Sequence, residues 1–134
     1  MYKPFSDQAL QVLSQNLEEA PGTGNLVSFV AYGGAIREVA PGATAFPHRE
    51  ALFVMQYQSY WRSSGDDRAN IGWIEHFRNS MLPYTLGAYS NYSDSLIPDW
   101  PALYFGVNLA RLKVIKREYD PGNIFRFEQS IPLP

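Results

Sequence analysis

The residues best suited to chemistry lie together in one short segment, Tyr89-Ser90-Asn91-Tyr92-Ser93-Asp94. A tyrosine phenol can accept a proton when its neighbours lower its pKa, and an asparagine amide both donates and accepts hydrogen bonds. This composition has two interpretations. Either Tyr89 and Tyr92 lie beside a substrate, or the segment is a tyrosine-rich loop that packs on a sheet.

The two histidines, His48 and His76, have no spacing typical of metal ligands, and the chain contains no cysteine. Zinc–thiolate sites, disulfides and cysteine nucleophiles are therefore excluded, and no metal site is predicted. His76 falls within a predicted amphipathic helix, which indicates a surface position. His48 precedes a predicted strand, where either a binding role or a structural hydrogen bond to the backbone explains it.

A second polar set lies on a predicted strand from Ala51 to Trp61. Because side chains alternate along a strand, Gln56 and Gln58 share one face with Leu52 and Val54. That face is either the wall of a ligand cleft or the solvated face of an antiparallel sheet. The opposite face carries residues that we expect in a core: Phe53, Met55, Tyr57 and Trp61.

Hydrophobic periodicity predicts the elements that hold these residues in place. One helix opens at Ser6 with an apolar stripe of Leu10, Leu13 and Leu17, and a second opens at Asp66-Asp67. A third helix is predicted from Asn108 to Tyr119. Strands are predicted at Leu26–Tyr32, at Ile36–Ala40 and at Ala51–Trp61. The fold class is therefore α+β, with a small antiparallel sheet and flanking helices.

Length and composition favour one domain over residues 1–134, with 46% hydrophobic residues to form a core. The net charge of −2 gives no basic surplus, so a nucleic-acid partner is not expected. The longest uncharged run, residues 20–36, contains Pro21 and four glycines, so no membrane span is predicted. No signal peptide is visible, and we expect a cytoplasmic protein.

A longer pattern of fixed spacing surrounds the tyrosine segment. Y-x-N-Y-x-D runs from Tyr89 to Asp94, and the pattern continues through Trp100, Tyr104-Phe105-Gly106, Asn108, Arg111-Leu112, Lys116, Tyr119-Asp120-Pro121, Asn123, Phe125 and Gln129-Ser130-Ile131. Upstream it includes Tyr32-Gly33-Gly34-Ala35, Thr44–Arg49 and Leu52–Trp61. This set resembles the C-terminal part of berberine-bridge-enzyme-like FAD-linked oxidases.

The resemblance implies an activity and a division of the chain. Residues 1–84 are similar to the end of the substrate domain, and residues 85–134 to the C-terminal segment of the family. Such oxidases transfer hydride from an alcohol or sugar to FAD. Tyr92 is then expected to be the catalytic base and Tyr89 the second candidate, while Gln56 and His48 bind a small-molecule substrate. The residues expected on the cofactor side are Tyr89, Asn91 and Asn108.

The N-terminal FAD-binding domain of such an oxidase is expected to be absent from this chain. FAD is therefore not expected on the isolated chain, and a complementing FAD-binding chain is the expected partner. A homodimer is also expected, because a two-stranded sheet is marginal alone and because Tyr104 and Phe105 are expected in an exposed patch with Tyr89 and Tyr92. The alternatives are a non-catalytic small-molecule-binding or scaffold domain and a truncated remnant.

Overall fold

A computed structural model describes residues 3–134. The chain divides into two compact units. The sheet unit comprises residues up to Ala31 together with Leu52–Leu86, and the helical unit comprises Tyr32–Ala51 and Gly87–Pro134. The elements in chain order are α1 (Asp7–Glu18), β1 (Asn25–Ala31), α2 (Ala35–Glu38), β2 (Phe53–Ser59), α3 (Asp67–Met81), α4 (Trp100–Phe105) and α5 (Leu109–Tyr119).

The sheet of the sheet unit consists of β1 and β2, paired antiparallel with Ser28 opposite Gln56. The chain therefore has an α+β fold with a small antiparallel sheet and flanking helices, which confirms the predicted fold class. The strands meet closely at Gly24, where an added Cβ would lie 2.2 Å from the carbonyl oxygen of Tyr60. Only glycine fits this approach, in which the Tyr60 amide donates to the Gly24 carbonyl at 3.0 Å.

The core of the sheet unit forms where α3 packs on the sheet. Trp73, Phe77 and Met81 are buried, and Met55 and Tyr57 pack against them. The Phe77 ring lies 5.1 Å from Tyr57 and 5.5 Å from Trp73 in edge-to-face geometry. The predicted inward face of the second strand is thus confirmed at Met55 and Tyr57.

Helix α1 contacts this core through Leu13 of the predicted stripe but not through the other two leucines. Leu10 and Leu17 are 48% and 38% exposed, whereas Ala9 and Asn16 are buried. The predicted stripe was wrong at both leucines, because small and polar residues occupy the face that approaches α3. There the Trp73 indole donates to the Asn16 carbonyl at 2.7 Å.

The helical unit contains α2, α4 and α5. Residues 36–40, predicted as a strand, instead include part of the single helical turn α2. The reason is Gly34, whose φ of +49° reverses the chain so that the Arg37 amide reaches the Gly34 carbonyl at 3.0 Å. Helix α5 is confirmed at its predicted bounds within one residue. Nowhere between residues 3 and 134 is there a helix with the length and apolarity to cross a membrane.

Candidate functional site

The tyrosine segment forms a tight loop in the helical unit, which we call the tyrosine loop (residues 89–94). The Tyr92 amide donates to the Tyr89 carbonyl at 2.9 Å, which closes a turn. This turn brings the two rings to 5.1 Å at an angle of 81°. The side-chain amide of Asn91 donates to the Tyr89 hydroxyl at 2.8 Å. The three residues singled out from the sequence are therefore in mutual contact.

An aromatic cluster supports the loop from one side. The Phe46 ring lies 5.8 Å from that of Tyr89, 5.6 Å from that of Tyr32 and 5.6 Å from that of His48. The Arg49 guanidinium lies 5.0 Å from the Phe46 ring centre, which places a cation over its face. Phe46 is thus the shared contact of this cluster.

Sequence reasoning did not assign Tyr32 or Phe46 to the site. Burial raises the pKa of Tyr32, and the neighbouring phenols of Tyr89 and Tyr92 raise it further. Tyr32 therefore keeps its proton at neutral pH and contributes a neutral hydroxyl to the cluster. The sequence feature that could have identified Tyr32 as a site residue is its position at the end of a strand, directly before Gly33-Gly34.

The hydroxyls of the two loop tyrosines differ in their partners. Tyr89 accepts the hydrogen bond from Asn91. The hydroxyl of Tyr92 makes no hydrogen bond with any residue between 3 and 134. Both rings are half-buried, whereas Asn91 is exposed. The Tyr92 hydroxyl, unlike that of Tyr89, is therefore not held by a side chain within the described part of the chain.

His48 makes the structural contact that was one of its two interpretations. Its Nε2 lies 2.8 Å from the carbonyl oxygen of Ala88, and because a carbonyl only accepts, this nitrogen carries the proton. Burial lowers the pKa of His48 below its ordinary value, although the bond to Ala88 opposes this. His48 is therefore neutral at pH 7 and anchors the start of the tyrosine loop. Its substrate-binding role stays a prediction.

Asn108 belongs to the helical unit and Gln56 to the sheet unit. Asn108 is buried, and its side-chain amide donates to the carbonyls of Pro41 and Thr44 at 2.8 and 2.9 Å. It thereby fixes the segment that leads to Phe46. Gln56 lies half-buried on β2 in the sheet unit, whereas the tyrosine loop belongs to the helical unit. The cofactor role of Asn108 and the substrate role of Gln56 stay predictions.

A cavity of about 330 Å³ opens beside the tyrosine loop. Its lining combines polar and aromatic side chains of the helical unit, among them Asn91, Ser93, Tyr104, Phe105, Lys116 and Gln129. Tyr104 is only 2% exposed, so its predicted place in an exposed patch is wrong. Its hydroxyl is held inside by hydrogen bonds to Gln129 and to the Asp94 amide, both at 3.1 Å.

The residues near the loop suit the ring portion of a flavin. Its carbonyl and nitrogen atoms need hydrogen-bond donors, which an exposed amide at Asn91 and the phenols of the cluster supply. A pyrophosphate is commonly held at the N-terminus of a helix after a glycine-rich loop. Helix α2 follows Gly33-Gly34 but has only four residues, too few for such a site.

Comparison with known proteins places this geometry in a family. Residues 88–132 match the family described as "Berberine and berberine like". The chain is 45% identical to the uncharacterized FAD-linked oxidoreductase YgaK of Bacillus subtilis, over 97% of this chain and 29% of that protein. It is 32% identical to the hexose oxidase of Chondrus crispus, over 98% of this chain and 30% of that protein.

Solved structures agree with this assignment. The chain superposes with a TM-score of 0.85 on Phl p 4, a grass pollen allergen with glucose dehydrogenase activity. The identity is 34%, over 99% of this chain and 31% of that chain. The 134 residues span about 30% of the length of the relatives that they match. The chain belongs to the berberine-bridge-enzyme-like family of FAD-linked oxidoreductases and corresponds to its C-terminal part.

Proposed function

We propose that this chain provides the substrate-side residues of an FAD-dependent oxidoreductase that oxidises an alcohol or a sugar. The observation that carries the proposal is the contact of Tyr89, Asn91 and Tyr92 within one loop, in which Asn91 bonds to the Tyr89 hydroxyl and not to that of Tyr92. The relatives that are FAD-linked oxidoreductases, one of them a hexose oxidase, support the reaction class. A bound FAD would accept the hydride.

Tyr92 acts as the base in this proposal. Oxidation of an alcohol carbon requires loss of the hydroxyl proton, and in this proposal the Tyr92 side-chain oxygen takes that proton from the substrate oxygen. Tyr89 is held by Asn91 and packs edge-on against Tyr92, so it fixes the direction of the Tyr92 ring. Asn91 and Tyr89 would hold the flavin ring through their hydrogen-bonding groups, and the substrate-binding role of Gln56, in the sheet unit, is a separate part of the proposal.

We further propose that FAD is held by polypeptide outside these 134 residues. The relatives are more than three times as long as the matched part, and the described residues suit a flavin ring better than its phosphates. The isolated chain is then colourless and inactive, and a complementing FAD-binding chain restores activity. We also propose that the isolated chain forms a homodimer, because its two-stranded sheet leaves strand edges unpaired.

A chimera tests the function directly. This chain replaces the matching 29% of the Bacillus subtilis relative, to which it is 45% identical. The purified chimera is mixed anaerobically with a panel of sugars and simple alcohols, and the loss of the oxidised-flavin spectrum is followed. Reduction by at least one sugar or alcohol supports the proposal. A yellow, folded chimera that none of the panel reduces contradicts it.

The isolated chain gives the matching control. It is purified from its native host, and its visible spectrum and light-scattering mass are recorded. We expect no flavin absorbance and the mass of a dimer. One FAD per chain would contradict the proposal that the cofactor is held elsewhere, and a monomer at high micromolar concentration would contradict the dimer.

The cavity favours a second candidate, a non-catalytic small-molecule-binding domain. Its volume of about 330 Å³ falls within the range of ligand pockets, and its lining mixes hydroxyl, amide and aromatic groups. A small polar ligand such as a sugar would then bind the isolated chain. Calorimetric titration with the sugars of the panel separates the candidates, because millimolar or tighter binding without flavin favours the second one.

A further inference from the structure

A closed hydrogen-bond network lies under the tyrosine loop. The Tyr104 hydroxyl donates to Oε1 of Gln129 at 3.1 Å and accepts from the Asp94 amide at 3.1 Å. Nε2 of Gln129 donates to the Asp94 carbonyl at 2.7 Å. Tyr104 and Gln129 are 2% and 8% exposed. Each side chain thus bonds both to the other and to the backbone of Asp94.

The two ends of the tyrosine loop are attached to consecutive residues of α4. At the first end, the Ala88 amide donates to the Leu103 carbonyl at 3.0 Å. At the second end, the Asp94 amide donates to the Tyr104 hydroxyl. Helix α4 therefore sets the distance between the loop ends, and Gln129 secures the second end from the C-terminal segment.

We propose that Tyr104 and Gln129 are positioning residues, which fix the tyrosine loop so that Tyr92 and Asn91 keep their orientation. This inference rests on the proposed function of the loop. Neither side chain touches substrate in the proposal; they act through the Asp94 backbone. Buried polar groups that are fully paired hold a unique arrangement, and loss of one partner leaves another unpaired in the interior.

Three variants of the full chain separate hydrogen bonding from packing. Gln129→Met keeps the volume but removes both hydrogen bonds. Gln129→Glu keeps an acceptor for Tyr104 and, when ionised, cannot donate to the Asp94 carbonyl. Protonation restores that donor, and burial raises the pKa of a carboxyl above its ordinary value of about 4.3. Glu128→Gln changes the exposed neighbour and serves as the control.

The readout is the protection of the Asp94 amide against hydrogen exchange, together with the ring signals of Tyr89 and Tyr92 in NMR spectra. We expect Gln129→Met to lower protection at least about tenfold at any pH. Gln129→Glu should lower it similarly near pH 8 and regain it near pH 5, while Glu128→Gln changes nothing. The titratable groups that bond to or line the region of position 129 are Asp94, Tyr104 and Lys116.

Unchanged protection in Gln129→Met would overturn the inference, and so would an equal loss at both pH values in Gln129→Glu. The side-chain amide signal of Asn108, which bonds to the Pro41 and Thr44 carbonyls within the same unit, reports whether each variant is folded. If the variants unfold, the protection of the Asp94 amide is measured in the chain without substitutions. An unprotected Asp94 amide in that chain also overturns the inference. None of these readouts needs flavin, so they are independent of the proposed function. In a chimera that bleaches, Gln129→Met should lower kcat with little change in KM, and an unchanged rate would again overturn the positioning role.

Discussion

The side-chain amide of Asn91 donates a hydrogen bond of 2.8 Å to the hydroxyl of Tyr89. This bond gives the two tyrosines of the loop different tasks. The Tyr89 oxygen already accepts a hydrogen bond from Asn91, whereas the Tyr92 hydroxyl has no hydrogen-bond partner among residues 3–134. Because the two rings pack edge-to-face, the Tyr89 ring restricts the orientation of the Tyr92 ring. One loop thus contains a phenol held by Asn91 beside a phenol that Asn91 does not hold.

Substitution of Gly87 should disturb the start of the tyrosine loop. Gly87 has a φ of +70°, and a Cβ there would lie 2.6 Å from Cε1 of His48. We expect Gly87→Ala to lower the free energy of unfolding by about 1–3 kcal/mol, through backbone strain and displacement of the His48 ring. Urea denaturation measures this.

Gly72→Ala is the matched control, because Gly72 lies within α3 with no atom within 4 Å of the added Cβ. It should stabilise the chain by up to about 1 kcal/mol through helix propensity. Equal effects of the two substitutions would show that the His48 contact does not constrain residue 87.

Tyr57 should ionise well above the ordinary tyrosine pKa of about 10. Burial against α3 raises its pKa to about 12, although Arg78 opposes the shift. Because the folded-state pKa lies above the unfolded value of about 10, the stabilisation is complete below pH 10 and is lost as the pH rises towards 12. An alkaline titration followed by tyrosinate absorbance should show a step near pH 12 from Tyr57.

The step near pH 12 should be lost in Tyr57→Phe and retained in Tyr119→Phe, since Tyr119 is 77% exposed. Titration of all tyrosines in a single transition near pH 10, with the fold intact, would contradict the buried position of Tyr57.

The Asp120 carboxylate should stabilise the turn after α5. The hydrogen bond from Lys116 lowers its pKa, and the amides of Ile124 and Phe125, at 2.7 and 3.1 Å, lower it further. A lowered folded-state pKa gives stability that is present above the unfolded value of about 3.9 and lost as the pH falls through the folded one.

Asp120→Asn should therefore reduce Tm near pH 7, and the difference from the unaltered chain should shrink as the pH falls below about 4. Asp99→Asn, at an exposed aspartate, is the control and should change Tm little. A difference that is constant with pH would show that the charge of Asp120 is not what stabilises the turn.

The sequence predicted elements whose signals are local. Helix α3 and the strand containing Met55 and Tyr57 follow from periodicity, and the bounds of α5 were predicted to within one residue, although Asn108 makes no side-chain cap there. In α1 the same spacing was right at Leu13 and wrong at Leu10 and Leu17, because a leucine stripe does not show which side of a helix packs on residues distant in sequence.

The site shows the same limit. The mutual contact of Tyr89, Asn91 and Tyr92 follows from their closeness in the chain. The burial of Tyr104 depends on Gln129, 25 residues away, and the contact of Phe46 with Tyr89 spans an even longer separation. Such contacts depend on the tertiary packing of segments that are distant in sequence, and no local sequence pattern predicts that packing.

Flavin reduction by the chimera, measured by anaerobic stopped flow, tests the central claim that Tyr92 takes the substrate proton. Tyr92→Phe should slow bleaching by about 10²-fold or more with little change in substrate affinity, the usual scale for loss of a general base. Tyr89→Phe should slow it less, and Gln56→Ala should act mainly on affinity. If neither tyrosine variant slows bleaching, the base lies outside this loop and the account of the site is wrong.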